Sequence, residues 1–368
     1  MTDTTQTNGG TPLELETLQV RGTPRQLGEG QGEALRDRIG AFVEMRFASV
    51  RTYLDERGLT DDGLLDVGRA SLEVHRGWDP DGVEEHEGIA RGAGVDSVAL
   101  YTATNMTDMR DVLLLSGAPD AEGCSAVLVP GSHTADGDAL VGQTWDLNPP
   151  DVAYIVAIHR QPDGGPETWS VTCGGCLSLV GINSEGVSVG TTNIKTFGAR
   201  PGVGYLGVLH KALNQRSALE AAAVIEGAPR AGAHTFWAAD ATHQVEYEAT
   251  PISHVRRDTR MGPLHRTNHC LVPEHQRIEG EPPNDSSKAR FARIETLLAR
   301  RGHDIEGLQR LFGDRSDGVH SVNRYEEDDQ GTATNSVFIA SPVARRAWAC
   351  RGPADRGRWI ELSFGGAR

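Results

Sequence analysis

The sequence changes its periodicity once, and abruptly, at a run of small residues, Ser116-Gly117-Ala118-Pro119-Asp120-Ala121-Glu122-Gly123. Ahead of that run apolar residues recur at helical spacing; after it they alternate as strands do. From Pro24 on, Leu27, Leu35, Ile39, Phe42, Val43, Phe47, Val50 and Leu54 fit one amphipathic helix, or two in tandem, ending near Gly58. Helical text continues over 60–75, 82–93 and 97–109. Beyond the run, 125–130 and 139–144 read as a hairpin, followed by strands at 153–159, 168–172 and 186–193. A helical stretch at 206–225 carries an internal capping box, Ser217 to Glu220, that marks a break. Strands at 234–239 and 244–249, helices at 286–299 and 304–312, and strands at 336–341 and 347–351 complete the pattern. Strands and helices in blocks predict an α+β layered sandwich. Residues 1–17 read as a disordered tail, 18–123 as a helical segment and 124–368 as the core, with no internal repeat.

Composition narrows the function classes. A chain of 368 residues buries a substantial core without disulfide or metal staples. Its formal charge of −15, with no basic stripe to offset it, repels phosphate backbones and anionic lipid heads, so nucleic acid is not an expected partner. No apolar stretch approaches the ~20 residues of a spanning helix, so no membrane segment is expected. The polar, acidic start lacks the pattern of a secretory signal, which reads as cytoplasmic. Five cysteines, an odd number, argue against a disulfide framework and for a nucleophile or plain burial.

Gly123-Cys124 is where chemistry is possible. A glycine adds no Cβ and takes strained turns, so its carbonyl is open to attack by the thiol that follows. An N-to-S acyl shift and hydrolysis would leave Cys124 with a free α-amine of pKa ~8, a general base for its own thiol. On the local sequence alone a buried strand cysteine is the better-fitting reading.

The wider pattern is what singles it out. Gly123-Cys124-Ser125, then Gly142-Gln143-Thr144-Trp145-Asp146, resembles the nucleophile hairpin of the acyl-coenzyme A:6-aminopenicillanic acid acyltransferase (isopenicillin-N acyltransferase) family of autoproteolytic cysteine Ntn hydrolases. Thr144 stands where that family has Asn, and the hairpin is a few residues longer. Upstream, Gly22 to Gly28 with Gly32 resembles the family's Gly-x-Pro-x-x-x-Gly-x-x-x-Gly opening, and Glu87 to Gly94 its Glu-Gly-Ile-Ala-x-Gly-Ala-Gly segment. Downstream, Gly181 to Gly186 followed by Asn193 resembles a Gly-x-Asn-x-x-Gly turn, Thr267-Asn268-His269 an Asn-His element, and Ser321-Val322-Asn323-Arg324 a Ser-Ile-Cys-Arg element in which Asn323 replaces Cys.

The resemblance implies a four-layer αββα Ntn-hydrolase sandwich, made as one precursor and cut into fragments of 123 and 245 residues that stay associated. It implies Cys124 as the autoproteolytic and catalytic nucleophile, Asp146 holding its amine, Asn268 offering its side-chain amide to the oxyanion, and Arg324 near the thiolate or a substrate carboxylate. Asn183 and Asn193 are expected as supports. The expected activity is hydrolysis of a small N-acyl or aminoacyl amide through an acyl-enzyme, with the cleaved α fragment as a partner and no cofactor. Acyl transfer from coenzyme A or an amide to an amine such as a β-lactam nucleus is the alternative. A non-catalytic binding protein of the same fold is a further one, and homo-oligomer formation is left open. Cys173-Gly174-Gly175-Cys176 lacks a second ligand pair, and His265, His269 and His275 cluster only loosely, so no metal is expected.

Overall fold

The computed structural model describes residues 11–113 and 123–365. Residues 1–10 of the expected tail and 116–122 of the small-residue linker lie outside them. The first segment opens with β1 (Glu16–Gly22), followed by α1 (Pro24–Ala34), α2 (Arg36–Asp55), α3 (Asp61–Trp78), α4 (Pro80–Ala93), α5 (Ser97–Thr104) and α6 (Met106–Leu113). The tandem-helix reading holds, with the break at Leu35. Residues 11–17 differ from the expected tail: Leu13 exchanges backbone hydrogen bonds with Arg356 and Arg358, and β1 pairs in parallel with a core strand.

The second segment begins with β2 (Gly123–Val129), β3 (Leu140–Leu147), β4 (Ile155–Pro162), β5 (Thr168–Cys173), β6 (Val180–Asn183) and β7 (Ser188–Asn193). Helices α7 (Tyr205–Leu213) and α8 (Ala218–Gly227) follow, parted at Ser217, whose hydroxyl caps α8 by accepting from the Glu220 N–H. Then come β8 (His234–Ala239), β9 (Gln244–Ala249), β10 (His254–Asp258), β11 (Leu264–Arg266), α9 (Pro273–Gln276), α10 (Asp285–Leu298) and α11 (Ile305–Phe312). Strands β12 (Ala333–Ser341), β13 (Arg346–Arg351) and β14 (Ile360–Ser363) close the fold.

Two sheets form, one in the order β1-β4-β5-β6-β7-β8-β9-β10 and one in the order β11-β2-β3-β12-β13-β14. They stack face to face, with β7 against β2 and β3 and β6 against β12 and β13. Helices α7 and α8 cover the first sheet, and α10 and α11 cover the second, which gives the αββα sandwich. Strand β2 shows why its sequence reads as a continuous apolar run: both faces are buried. Cys124, Ala126 and Leu128 turn toward the other sheet, while Val127 and Val129 pack with Ile294, Leu298, Leu311 and Phe312 of the outer helices.

The glycine-spaced segments that looked like family signatures have a packing cause. In α1 and α4, glycines four residues apart face each other so closely that the backbones touch. A Cβ at Gly28 would sit 2.0 Å from the Glu85 carbonyl oxygen, one at Gly32 2.3 Å from that of Ile89, and ones at Gly88 and Gly92 2.5 Å from those of Arg25 and Glu29. Any side chain at these positions forces the helices apart, because close-packed interiors have no slack.

Buried charged and hydrogen-bonded pairs tie the first segment to the second. Glu85 of α4 accepts from Arg160 Nε (2.6 Å) and faces His210 Nε2 (3.3 Å), Arg46 of α2 meets Asp151 (3.2 Å), and Asp108 of α6 meets His234 (2.8 Å). Burial pushes the Glu85 carboxyl up, and its contacts with His210 and Arg160 outweigh that push and hold it down at about 2. Among the described residues no helix is long and apolar enough to cross a membrane.

Candidate active site

The β2–β3 hairpin sets the geometry by register. Gly123 pairs with Asp146, Cys124 with Trp145 and Ser125 with Thr144, and Asp146 pairs on its other side with Thr334 of β12. Each residue of the Gly142-to-Asp146 motif then has a task. Gly142 leaves room for Phe312, whose ring would lie 2.7 Å from an added Cβ. Gln143 bolts the two sheets together: its Oε1 accepts from the Thr191 N–H (2.8 Å) and from Trp237 Nε1 (3.0 Å). Thr144 Oγ1 accepts from the Ser125 N–H at 3.0 Å, and Trp145 stands beside Cys124 on the cavity side.

Cys124 is held by its backbone. Its N–H donates to Asn268 Oδ1 (2.8 Å), and its carbonyl accepts from Arg290 Nη1 (2.6 Å). Arg290 also donates to Ser125 Oγ (3.0 Å) and, through Nη2, to Asn268 Oδ1 (2.9 Å). Asn268 Nδ2 donates to the Asn193 carbonyl (3.0 Å), and the Asn268 N–H is taken by Ser287 Oγ (2.9 Å). Turning this amide over would set its NH2 against two donors, so the orientation is determined. The expectation was that Asn268 aims its amide at the oxyanion. In this uncut arrangement it instead accepts from the nucleophile's own N–H, and one Nδ2 proton is already engaged.

Asp146 is fully buried beneath this peptide. Burial pushes its carboxyl up to about 6, opposed by Arg290, Arg324 and the hydroxyls of Thr334 and Thr144. Among the described residues neither oxygen completes a hydrogen bond by distance and angle, although those hydroxyls are near enough to lower its pKa. Arg324 presses Nη1 to within 2.3 Å of where a Cβ on Gly123 would be, with Arg290 Nη2 at 3.4 Å. A side chain at the residue ahead of the nucleophile would have to displace the Arg324 guanidinium, while Arg290 stands at ordinary contact distance. Burial lowers the pKa of both arginines, that of Arg290 to about 10.

The structure thus gathers Gly123, Cys124, Asp146, Asn268 and Arg324 at one strand end, with Asn193 supporting Asn268. Asn183 is elsewhere: its side chain clamps the β6–β7 turn, donating to the Leu213 and Gln215 carbonyls (2.7 Å each) and accepting from the Glu185 and Val187 N–H groups (3.0 and 2.9 Å). Arg290 is the contact that sequence reasoning missed. The signal was there, since residues 290, 294 and 298 form the buried stripe of α10 and the first of them is an arginine. The thiol faces a small cavity of about 20 Å3, room for little more than a water, lined also by Thr107, Leu179, Thr191, Tyr205 and His234. Cys173 and Cys176 are fully buried thiols, with burial pushing Cys176 up to about 12.

Comparison with known proteins follows the same lines. The chain is 26% identical over 335 residues to the 40 kDa form of acyl-coenzyme A:6-aminopenicillanic-acid-acyltransferase from Emericella nidulans, covering 90% of each. Among solved structures, a variant of conjugated bile acid hydrolase from Clostridium perfringens aligns over 66% of this chain and 97% of its own at 12% identity (TM-score 0.44). A Caenorhabditis elegans ortholog of N-acylethanolamine-hydrolyzing acid amidase aligns over 60% and 93% at 13% identity (TM-score 0.42). At scores this low the fold assignment rests on the sheet order and helix layers themselves. The sequence model for acyl-coenzyme A:6-aminopenicillanic acid acyl-transferase matches residues 133–356, more than half of the chain, and the chain belongs to that family.

Proposed function

We propose that Cys124 cuts the bond ahead of it and then works as an N-terminal nucleophile on small amides. The observation that carries this is the hold on the backbone on both sides of Cys124: Asn268 on its N–H, in the bond to be cut, Arg290 on its carbonyl, in the next one, and Arg324 against Gly123. In maturation the thiol adds to the Gly123 carbonyl, the peptide nitrogen leaves as the Cys124 amine, and water hydrolyses the thioester to a Gly123 carboxylate and a free thiol. Asn268 Oδ1 and the Asp146 carboxylate then hold the new amine, which carries the thiol proton to the leaving amine of the substrate. Water resolves the acyl-enzyme, aided by the second Nδ2 proton of Asn268 at the oxyanion. No metal or organic cofactor takes part. The two fragments stay together through the Glu85, Asp108 and Arg46 pairs.

Acyl transfer to an amine is the second reading, favoured by the name of the Emericella relative. A panel of N-acyl amides and acyl thioesters, each run with and without an added amine, separates the two. Free acid released at the same rate in either case is the expected result, and amide product in preference to acid would establish transfer. Turnover should also rise with pH as the Asp146 carboxyl ionises to hold the ammonium, with a midpoint below the value of about 6 that burial gives the uncut chain, because the new cation favours the carboxylate. Stability runs the other way. A folded pKa raised from 3.8 stabilises fully below that value, and the contribution, at most about 3 kcal/mol, is lost as pH rises through about 6.

A further inference from the structure

The cavity in front of Cys124 has one wall whose chemistry the acyl-transfer scheme leaves unused. His234 of β8 is 3% exposed, lies beside Asn193 in the sheet register and lines the same cavity as Cys124. Its Nε2 meets Asp108 Oδ1 at 2.8 Å, while Nδ1 is buried with no hydrogen-bond partner among the described residues. Asp108 is fixed in turn, since its Oδ2 accepts from the Tyr205 N–H (2.8 Å) and the Tyr205 ring stacks on His234 at 4.7 Å. A carboxylate that accepts at Nε2 places the ring proton there, which leaves a lone pair on Nδ1. A buried acceptor without a partner is costly unless a ligand supplies the missing donor.

We propose that the Asp108–His234 pair is the specificity element for the acyl group, selecting acyl chains that carry a hydrogen-bond donor such as an amine over plain alkyl chains. This rests on Cys124 being the nucleophile and deepens that reading by naming the acyl class. Asp108 and Thr107 come from α6, ahead of the cut, so the α fragment supplies part of the wall of this cavity, which has to widen from its uncut volume of about 20 Å3 to take an acyl group, and it remains necessary after maturation.

The test compares 4-nitroanilides of glycyl and 3-aminopropanoyl groups with their alkyl counterparts, propanoyl and butanoyl, and with the acceptor-bearing 3-carboxypropanoyl group. The protein as purified should prefer the amine-bearing acyl groups by tenfold or more in kcat/KM. In His234→Phe, which keeps an aromatic ring on Tyr205, the amine-to-alkyl ratio should fall toward one. Asp108→Asn gives an independent check. The Asn oxygen is claimed by the Tyr205 N–H, its NH2 then faces Nε2, and the ring proton moves to Nδ1, as in other His–Asp pairs so altered. That variant should shift preference toward the 3-carboxypropanoyl substrate. Equal rates for amine and alkyl substrates in the unmodified protein, a preference for 3-carboxypropanoyl there, or an unchanged ratio in a folded His234→Phe would overturn the proposal. Absence of both self-cleavage and turnover of every substrate would instead overturn the role of Cys124.

Discussion

Cys124→Ala should run as a single band near 39.5 kDa on denaturing electrophoresis, where the unaltered protein gives two, and its amide turnover should fall to the buffer background. The alanine fits the space, because the thiol already points into a cavity, so the fold should survive with its melting temperature within a few degrees. What disappears is the only atom that can attack the Gly123 carbonyl from the next residue, and with it the acyl carrier of the later reaction. Two bands from the alanine variant would show that another protease makes the cut.

Arg290→Met should be nearly as severe, for a different reason. The methionine fills the volume but leaves the Cys124 carbonyl, Ser125 Oγ and Asn268 Oδ1 without their shared donor. It also removes one of the two cations facing Asp146, so burial pushes that carboxyl further up from about 6. Breaking a buried charge arrangement of this kind typically costs about 3–5 kcal/mol. Even about 3 kcal/mol, if it falls on the transition state, is a hundredfold or more in rate. The appearance of the two bands after expression should therefore slow by about a hundredfold or more in Arg290→Met and less in Arg290→Lys, which keeps the charge but loses the fork. Cleavage of Arg290→Met at the normal rate would remove Arg290 from the account.

The parts of this site that were legible in the sequence are those whose partners lie close along the chain. Gly123-Cys124 and the run from Gly142 to Asp146 sit on adjoining strands of one hairpin, so their spacing alone fixes the register. The alternation that marked the core strands and the break at Ser217 are likewise local. The buried stripe of α10 put Arg290 inside the fold, but its carbonyl partner is 166 residues away, so the contact itself was not legible. Strands β6, β10, β11 and β14 were missed, two of them for visible causes. Strand β10 is an edge whose His-Val-Arg-Arg-Asp text is charged and mostly exposed, and β11 is only three residues long. The direction in which Asn268 points depends on Arg290 and Asn193, and so appears only once all three are placed. The glycines of α1 and α4 could be matched to a family pattern, but their reason, two backbones in contact, is a property of the packed pair.

The central claim is that the acyl-carrying residue is also the first residue of its polypeptide. It is tested most directly by incubating the mature protein with a slowly hydrolysed acyl substrate, quenching in acid, and measuring the masses of the separated fragments and of their peptides. The account predicts the acyl mass on a fragment of 245 residues that begins at Cys124, within the peptide containing that residue. An acyl mass on any other residue, or on an uncut chain that still turns over, would contradict it.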